Sequence, residues 1–358
     1  MPGAQDSPRH RVRWRCFAVD RSWRRRAWLK RGLLAVSLLP LAVLFGGLAA
    51  LNRMMYRIGL IDSHTLAVPV VVVGNLIAGG AGKTPTVMAV VELLRRRGFT
   101  PGIISRGYGR TGQAVLDVHA NTAAAQCGDE PLLMKLRCSA PVCVGRDRVA
   151  AARELSRLHP SVNIIVSDDG LQHLRLARTA QVLVFDERGA GNGWLLPAGP
   201  LRERVPAAVP KRSVVLYNAP APSTPLPGSV ARRSLRGVVG LQAWRSGQVS
   251  SSSSLASLRG RTVVAAAGLA HPDRFFLMLR EFGLTITPLP LPDHFDYRTL
   301  PWPTETADVV VTEKDAVKLD PSRLGRTRVW VAALDFSLDA EFENALLALL
   351  PVPPLPRN

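Results

Sequence analysis

The stretch Val70-Val71-Val72-Val73-Gly74-Asn75-Leu76-Ile77-Ala78-Gly79-Gly80-Ala81-Gly82-Lys83-Thr84-Pro85 decides the fold class. Four consecutive valines suit a short strand covered on both faces, and Thr86 to Arg97 then switches to a helical pattern. Between them lies a glycine loop whose successive backbone N–H groups can turn inward around phosphate oxygens at a helix N-terminus. Gly79, Gly80, Ala81, Gly82, Lys83 and Thr84 are the expected nucleotide contacts. Lys83 adds a point charge for the β/γ-phosphates, and the Thr84 hydroxyl is placed to ligate Mg²⁺. The common pattern G-x-x-x-x-G-K-[ST] asks for glycine where this chain has Ile77, so the loop is closer to variants that carry paired glycines. These features imply an α/β fold with a P-loop NTPase-like core and a mostly parallel sheet.

A chain of 358 residues suggests about two domains. The net charge of +19, with a pI near 11.1, points to an anionic partner: membrane lipid, nucleic acid or a phosphorylated substrate. Residues 1–31 alone hold ten Lys/Arg against Asp6 and Asp20. The four cysteines, at 16, 127, 138 and 143, form no C-x-x-C pair, which argues against a zinc site and suits reduced thiols in the cytosol.

Leu33 to Leu51 is an uncharged apolar run interrupted only by Ser37 and Pro40. A hydrocarbon core needs about 20 helical residues, and Trp14, Trp23 and Trp28 lie upstream where interfacial anchors belong. A signal peptide and a buried core helix are the competing readings. Export would separate a phosphate-loop protein from ATP. A single span would also place either the basic arm or the nucleotide site outside the cytoplasm, so the simplest topology is a helix dipping into the inner leaflet, bent at Pro40, with both ends cytoplasmic. Nucleic acid is the competing use of the basic, Trp-interleaved arm; the adjoining apolar run favours lipid headgroups, and no nucleic acid is expected.

Further along, Gly102-Ile103-Ile104 reads as a strand ending in Ser105-Arg106-Gly107-Tyr108-Gly109-Arg110, a turn that either brings guanidinium to phosphate or is a solvated loop. Gly128-Asp129-Glu130-Pro131 opens a helix, and its carboxylates suit capping. Val162 to Gly170 is an apolar strand ending in Asp168 and Asp169, the form of a Mg²⁺-holding element beside a phosphate loop, or else an Asp-Asp-Gly turn; Gln172 and His173 follow. The Gly- and Pro-rich segment Gly191 to Glu203 reads as an ordered loop without evident chemistry. Pro, Ser and Ala then accumulate around 220–228 and at Ser250 to Ser254, marking a linker. Beyond it, Thr262–Ala267, Pro272–Phe282, Asp308–Thr312 and Glu341–Leu350 predict strand, helix, strand and helix. Asp293-His294-Phe295 reads as a loop, and Thr312 to Lys318 as a charged helix start.

The expected organisation is a basic arm over 1–31, a membrane-associated helix over 32–52, and a P-loop kinase domain over 53–218. A linker over 219–258, a smaller C-terminal α/β domain over 259–335 and a C-terminal helix over 336–358 complete it, the last expected to return to the kinase domain.

The ordered set formed by the glycine loop, Ser-Arg-Gly-Tyr-Gly-Arg, Gly-Asp-Glu-Pro, Gly145-Arg146-Asp147-Arg148, Asp-Asp-Gly-Leu-Gln-His, Leu-Leu-Pro-Ala-Gly-Pro-Leu-Arg-Glu, Asp-His-Phe and Thr-Glu-Lys-Asp-Ala-Val-Lys resembles the tetraacyldisaccharide 4'-kinases of lipid A biosynthesis. The resemblance spans roughly residues 30 to 320 and leaves the first thirty and last forty outside it. It implies ATP and Mg²⁺ as cofactors and transfer of the γ-phosphate to the 4'-hydroxyl of a tetraacylated glucosamine disaccharide 1-phosphate, giving lipid IVA at the cytoplasmic face of the Gram-negative inner membrane. No obligate protein partner is implied. It further implies Asp129 as base with His294 orienting it, Lys83, Asp168 and Asp169 as catalytic residues, Thr84 and Asp168 at the metal, and Arg106, Glu130 and Gln172 as substrate or phosphate contacts. The rivals are a membrane-associated P-loop ATPase switch and a nucleic-acid-stimulated ATPase; neither explains Asp-His-Phe or the Pro-Ala-Gly-Pro-Leu-Arg-Glu loop.

Overall fold

A computed structural model describes residues 28–269 and 271–353, so residues 1–27 of the basic arm lie outside the described residues. The first sheet has the order β3-β4-β2-β5-β1-β6-β7-β8. Its strands are β1 (Val70–Gly74), β2 (Pro101–Ser105), β3 (Leu116–Asp117), β4 (Val142–Val144), β5 (Ile164–Asp168), β6 (Ala180–Asp186), β7 (Ser213–Asn218) and β8 (Ser229–Val230). All neighbours are parallel except β3 and β4. The four valines of β1 sit at the centre. Val71 and Val73 face one core with Val87, Val90 and Leu94 of helix α3 (Lys83–Arg96). Val70 and Val72 face the other with Val149, Ala152 and Leu155 of helix α5 (Arg148–Leu158). An uninterrupted apolar run is what a strand covered on both faces requires.

The second sheet has the order β11-β10-β12-β13-β9, built from β9 (Arg232–Gly240), β10 (Thr262–Ala267), β11 (Thr285–Pro290), β12 (Asp308–Thr312) and β13 (Arg328–Ser337). Only β9 runs antiparallel to its neighbour. Helix α6 (Pro272–Glu281) covers one face with Phe275, Phe276 and Leu279. The core on the other face is continuous with that of α3, and helix α8 (Ala340–Leu347) adds Phe342 and Leu346 to it beside β7.

Two expectations change. Residues 219–258 are no linker: β8 completes the first sheet, and β9 pairs with β13, from Arg232 opposite Ser337 to Gly240 opposite Trp330, as the edge of the second. Composition concealed β9 because Leu235, Val238 and Val239 are buried while Arg232, Arg233 and Arg236 are exposed. The apolar run expected as one helix over 32–52 is divided into α1 (Leu33–Ser37) and α2 (Leu39–Arg57), with the break at Leu38. Pro40 lies in the first turn of α2, where a missing N–H costs nothing, so it starts a helix instead of bending one. Of α2 only Ala42 is buried, and Leu41, Val43, Leu44, Leu48 and Leu51 are exposed.

Between β12 and Lys318 stands helix α7 (Glu313–Ala316), whose Asp315 is fully buried. It accepts from the Gly268 N–H at 3.0 Å and the Thr312 hydroxyl at 2.7 Å, with Lys318 Nζ at 3.3 Å. This carboxylate ties the ends of β10 and β12 together. Asp315→Ala would take from the buried Lys318 ammonium the nearer of its two carboxylates and leave two donors unpaired, and a loss of about 3–5 kcal/mol is expected. Denaturant unfolding checks this; a loss below about 1 kcal/mol would show that the pair is not structural.

Candidate active site

The glycine loop leaves the C-terminal end of β1, where Val73 pairs with Asp168 of β5, so the β5 carboxylate stands one strand from the phosphate loop. Gly82 caps α3 with φ +81°, a conformation that favours glycine, and an added Cβ would collide with Asn218. Asn218 donates to the Ala81 carbonyl at 2.9 Å, while Arg188, paired with Asp186, donates to the Gly80 carbonyl at 2.9 Å. Lys83 Nζ bonds Asn75 Oδ1 at 3.1 Å and stands 3.5 Å from Asp169 Oδ1. Arg202 donates to both oxygens of Asp169, at 3.1 and 3.3 Å. Burial disfavours ionisation of Asp169, but Lys83 and Arg202 outweigh it and hold the carboxyl below its usual range.

Asp168 has the opposite environment. It is 3% exposed, and Ser105 donates to Oδ2 at 2.8 Å. Its other oxygen, Oδ1, is buried with no hydrogen-bond partner. Burial, then the carboxylate of Glu130, push it up to about 7 against the pull of Lys83. An acceptor orphaned in this way beside a phosphate loop fits a cation. The described residues contain no cluster of three or more His, Cys, Asp or Glu suited to a metal.

Across the cleft, helix α4 (Asp129–Cys138) begins after Gly128, whose φ of +98° lets the chain pass the Tyr108 carbonyl. Asp129 Oδ2 lies 3.1 Å from His294 Nδ1 and 3.6 Å from Lys318 Nζ. The other imidazole nitrogen, Nε2, is 3.3 Å from Lys314 Nζ, which also pairs with Asp293 at 3.2 Å and Glu130 at 3.6 Å. Burial opposes the charge on Lys314, but Glu130 and Asp293 prevail and raise its pKa. A cationic Lys314 donates, so Nε2 is the imidazole acceptor and Nδ1–H is bonded to Asp129.

Both groups line one cleft of about 1010 Å³, formed by the phosphate loop, α4 and the second sheet. It brings together Gly79 to Thr84, Asp168, Asp169, Glu130, Arg106 and His294. Asp129 reaches it through His294. Gln172 sits behind, donating to Glu203 at 3.1 Å and accepting from Arg202 at 3.1 Å, while Arg106 is exposed. Sequence reasoning gave no role to Asn75, Ser105, Arg202, Lys314 or Lys318. The i, i+4 spacing of Lys314 and Lys318, one helical face, was the available signal.

The profile of the family described as Tetraacyldisaccharide-1-P 4'-kinase matches residues 34–351, so the similarity extends past residue 320, close to the C-terminus. Tetraacyldisaccharide 4'-kinase of Methylibium petroleiphilum is 56% identical over 333 residues, covering 91% of this chain and 93% of the relative. That of Leptothrix cholodnii is 54% identical over 330 residues, covering 91% and 95%. Among solved structures, LpxK from Aquifex aeolicus, described as an "apo" form in complex with ATP, matches at 26% identity and TM-score 0.73, covering 89% of this chain and all of that one.

A carboxyl near pH 7 when folded and about 4 when unfolded keeps its proton in the folded state alone between those values. Stability contributed by Asp168 is therefore present below about pH 4 and lost as pH rises towards 7. Thermal unfolding of nucleotide-free protein should show this fall, and Asp168→Asn should flatten it. An unchanged slope in the variant would place the fall elsewhere.

Proposed function

The chain belongs to the tetraacyldisaccharide-1-P 4'-kinase family and is an ATP-dependent lipid A 4'-kinase, and we propose how its cleft carries out that transfer. The acceptor is the 4'-hydroxyl of the tetraacylated glucosamine disaccharide 1-phosphate. Phosphoryl transfer demands positioning and charge neutralisation. The loop amides and Lys83 hold the β- and γ-phosphates, and Asp169 with Asn75 fixes the Lys83 ammonium. Asp168 and Thr84 are the residues that would hold Mg²⁺, which supplies neutralisation of the phosphate charge; the orphaned Asp168 Oδ1 supports this.

The observation that carries the reading is the His294–Asp129 contact at 3.1 Å in the same cleft as the phosphate loop. It favours a division of labour different from the one expected. The carboxylate oxygen of Asp129 is shared by His294 and Lys318, which occupy it from two sides. The imidazole is the more accessible partner and turns Nε2 towards Lys314. We assign His294 Nε2 as the proton acceptor, with the sugar hydroxyl replacing Lys314 there. Asp129 fixes the tautomer and stabilises the imidazolium that forms.

The exposed apolar face of α1 and α2 supports anchoring at the cytoplasmic face of the inner membrane, with Lys30, Arg31, Arg53 and Arg57 placed to meet anionic headgroups. Arg106 and Glu130 line the cleft where the acceptor sugar would enter, and Gln172 supports it from behind.

Transfer from γ-labelled ATP to the lipid acceptor in detergent micelles tests the reading. Lys83→Ala should abolish label on the lipid, and His294→Gln should lower kcat by about 10²–10⁴-fold. Asp129→Asn should lower kcat less than His294→Gln does, because the base itself remains while its tautomer is no longer fixed. If Asp129→Asn cost as much as His294→Gln or more, Asp129 would be the base. ATP hydrolysis without labelled lipid in the wild type would favour the switch reading.

A further inference from the structure

The second sheet places a cation against the phosphate loop for which the transfer scheme above has no use. Arg233 lies on β9 and lines the cleft, with its guanidinium over the Phe336 ring at 5.8 Å. The two residues are direct ladder partners on β9 and β13, so the aromatic face sets where the guanidinium stands. It reaches the loop itself: a Cβ on Gly82 would stand 2.7 Å from Arg233 Nη2. The acidic groups that act on Arg233 are Asp186 and Glu187, and these are paired with Arg188 and Arg274. Among the described residues Arg233 is thus left without an ion-pair partner. Desolvation by the cleft walls, then the neighbouring Arg274, lower its guanidinium to about 10, so it remains a cation at neutral pH. The side chain stays open to solvent.

An arginine in this position has a planar fork of donors and no carboxylate to receive them. Phosphate oxygens match that fork, and the loop beside it is built to collect them. We infer that Arg233 donates to a phosphate oxygen of bound ATP, so that the nucleotide is gripped from both sheets at once. This inference rests on the kinase reading and adds a residue to it. The loop amides and Lys83 hold the phosphates from the first sheet, and Arg233 holds them from the second. ATP then acts as a tie between the halves, and its binding draws His294 and the γ-phosphate towards one geometry.

Calorimetric titration of ATP into the full-length protein, without acceptor, is the direct test. Arg233→Ala should weaken ATP by about 10- to 100-fold, the cost of losing a charge-assisted hydrogen bond to phosphate. Arg233→Lys should recover part of the loss, since it keeps the charge and loses the fork. In the transfer assay, KM for the lipid acceptor should stay at the wild-type value while KM for ATP rises. A purely structural role would instead lower the unfolding temperature and move both KM values. Wild-type affinity for ATP in Arg233→Ala overturns the inference and leaves the kinase reading intact. Should the alanine variant be unstable, Arg233→Gln, with the same length and no charge, decides in the same way. A wild-type protein that bound no ATP would overturn both.

Discussion

Helix α4 is held to the second sheet by charged side chains at both of its ends, and the arrangement of the cleft depends on that attachment. At its N-terminus Asp129 meets His294 and Lys318, and Glu130 meets Lys314. At its C-terminus Arg137 pairs with Glu313 at 2.6 Å, and Trp244 donates to the same carboxylate at 3.0 Å. Glu313 is buried, which raises its pKa against the pull of Arg137. Buried pairs of this kind contribute little net stability compared with apolar contacts of the same size, because desolvation offsets attraction. Their directionality is what matters here. Two sheets joined only by the shared apolar core could slide; ion pairs at both ends of one helix fix the orientation in which His294 and Lys83 face the same space.

A second run of polar contacts connects the exposed apolar helix α2 to the phosphate loop. Arg53 of α2 pairs with Glu203 at 3.0 Å; Glu203 accepts from Gln172; Gln172 accepts from Arg202; Arg202 clamps Asp169; and Asp169 faces Lys83. The loop over 191–203 is the platform for this run. Trp28 donates to the Pro197 carbonyl, Arg31 bonds the Asn192 carbonyl and lies over Trp194, and Gly46 passes so close to Leu195 that a Cβ would collide. The many glycines and prolines of that segment let it pack closely against the N-terminal apolar helices beside the cleft.

How far the sequence disclosed this depended on whether a feature was local. The valine strand, the glycine loop and the carboxylates ending β5 follow from neighbouring residues, and the structure places them together. Asp129 and His294 are 165 positions apart, and nothing in either segment alone distinguishes a helix cap or a loop histidine from a dyad. Family motifs named both residues, with Asp129 as base and His294 orienting it, and the mechanism proposed here exchanges those roles. β9 was hidden because an edge strand lining a polar cleft carries arginines where a central strand carries valines. The break at Leu38 was also out of reach, since composition fixes the length of an apolar run and not where its hydrogen-bond ladder restarts.

Dividing the machinery between two sheets has a chemical consequence. A phosphate loop that also held its own base would activate water as readily as sugar. In the proposed mechanism the base belongs to the second sheet's half, where His294 sits at φ +62°, a conformation that costs a non-glycine residue about 1–3 kcal/mol. Its position is offset by contacts on three sides: Asp129 on Nδ1, Lys314 on Nε2, and the Tyr108 ring with centroids 5.6 Å apart. Lys314 stands at the second imidazole nitrogen; in the proposed mechanism the sugar hydroxyl displaces it with more binding energy behind it than a single water has. On that scheme the same lysine that holds the imidazole in place keeps it from acting on the wrong nucleophile.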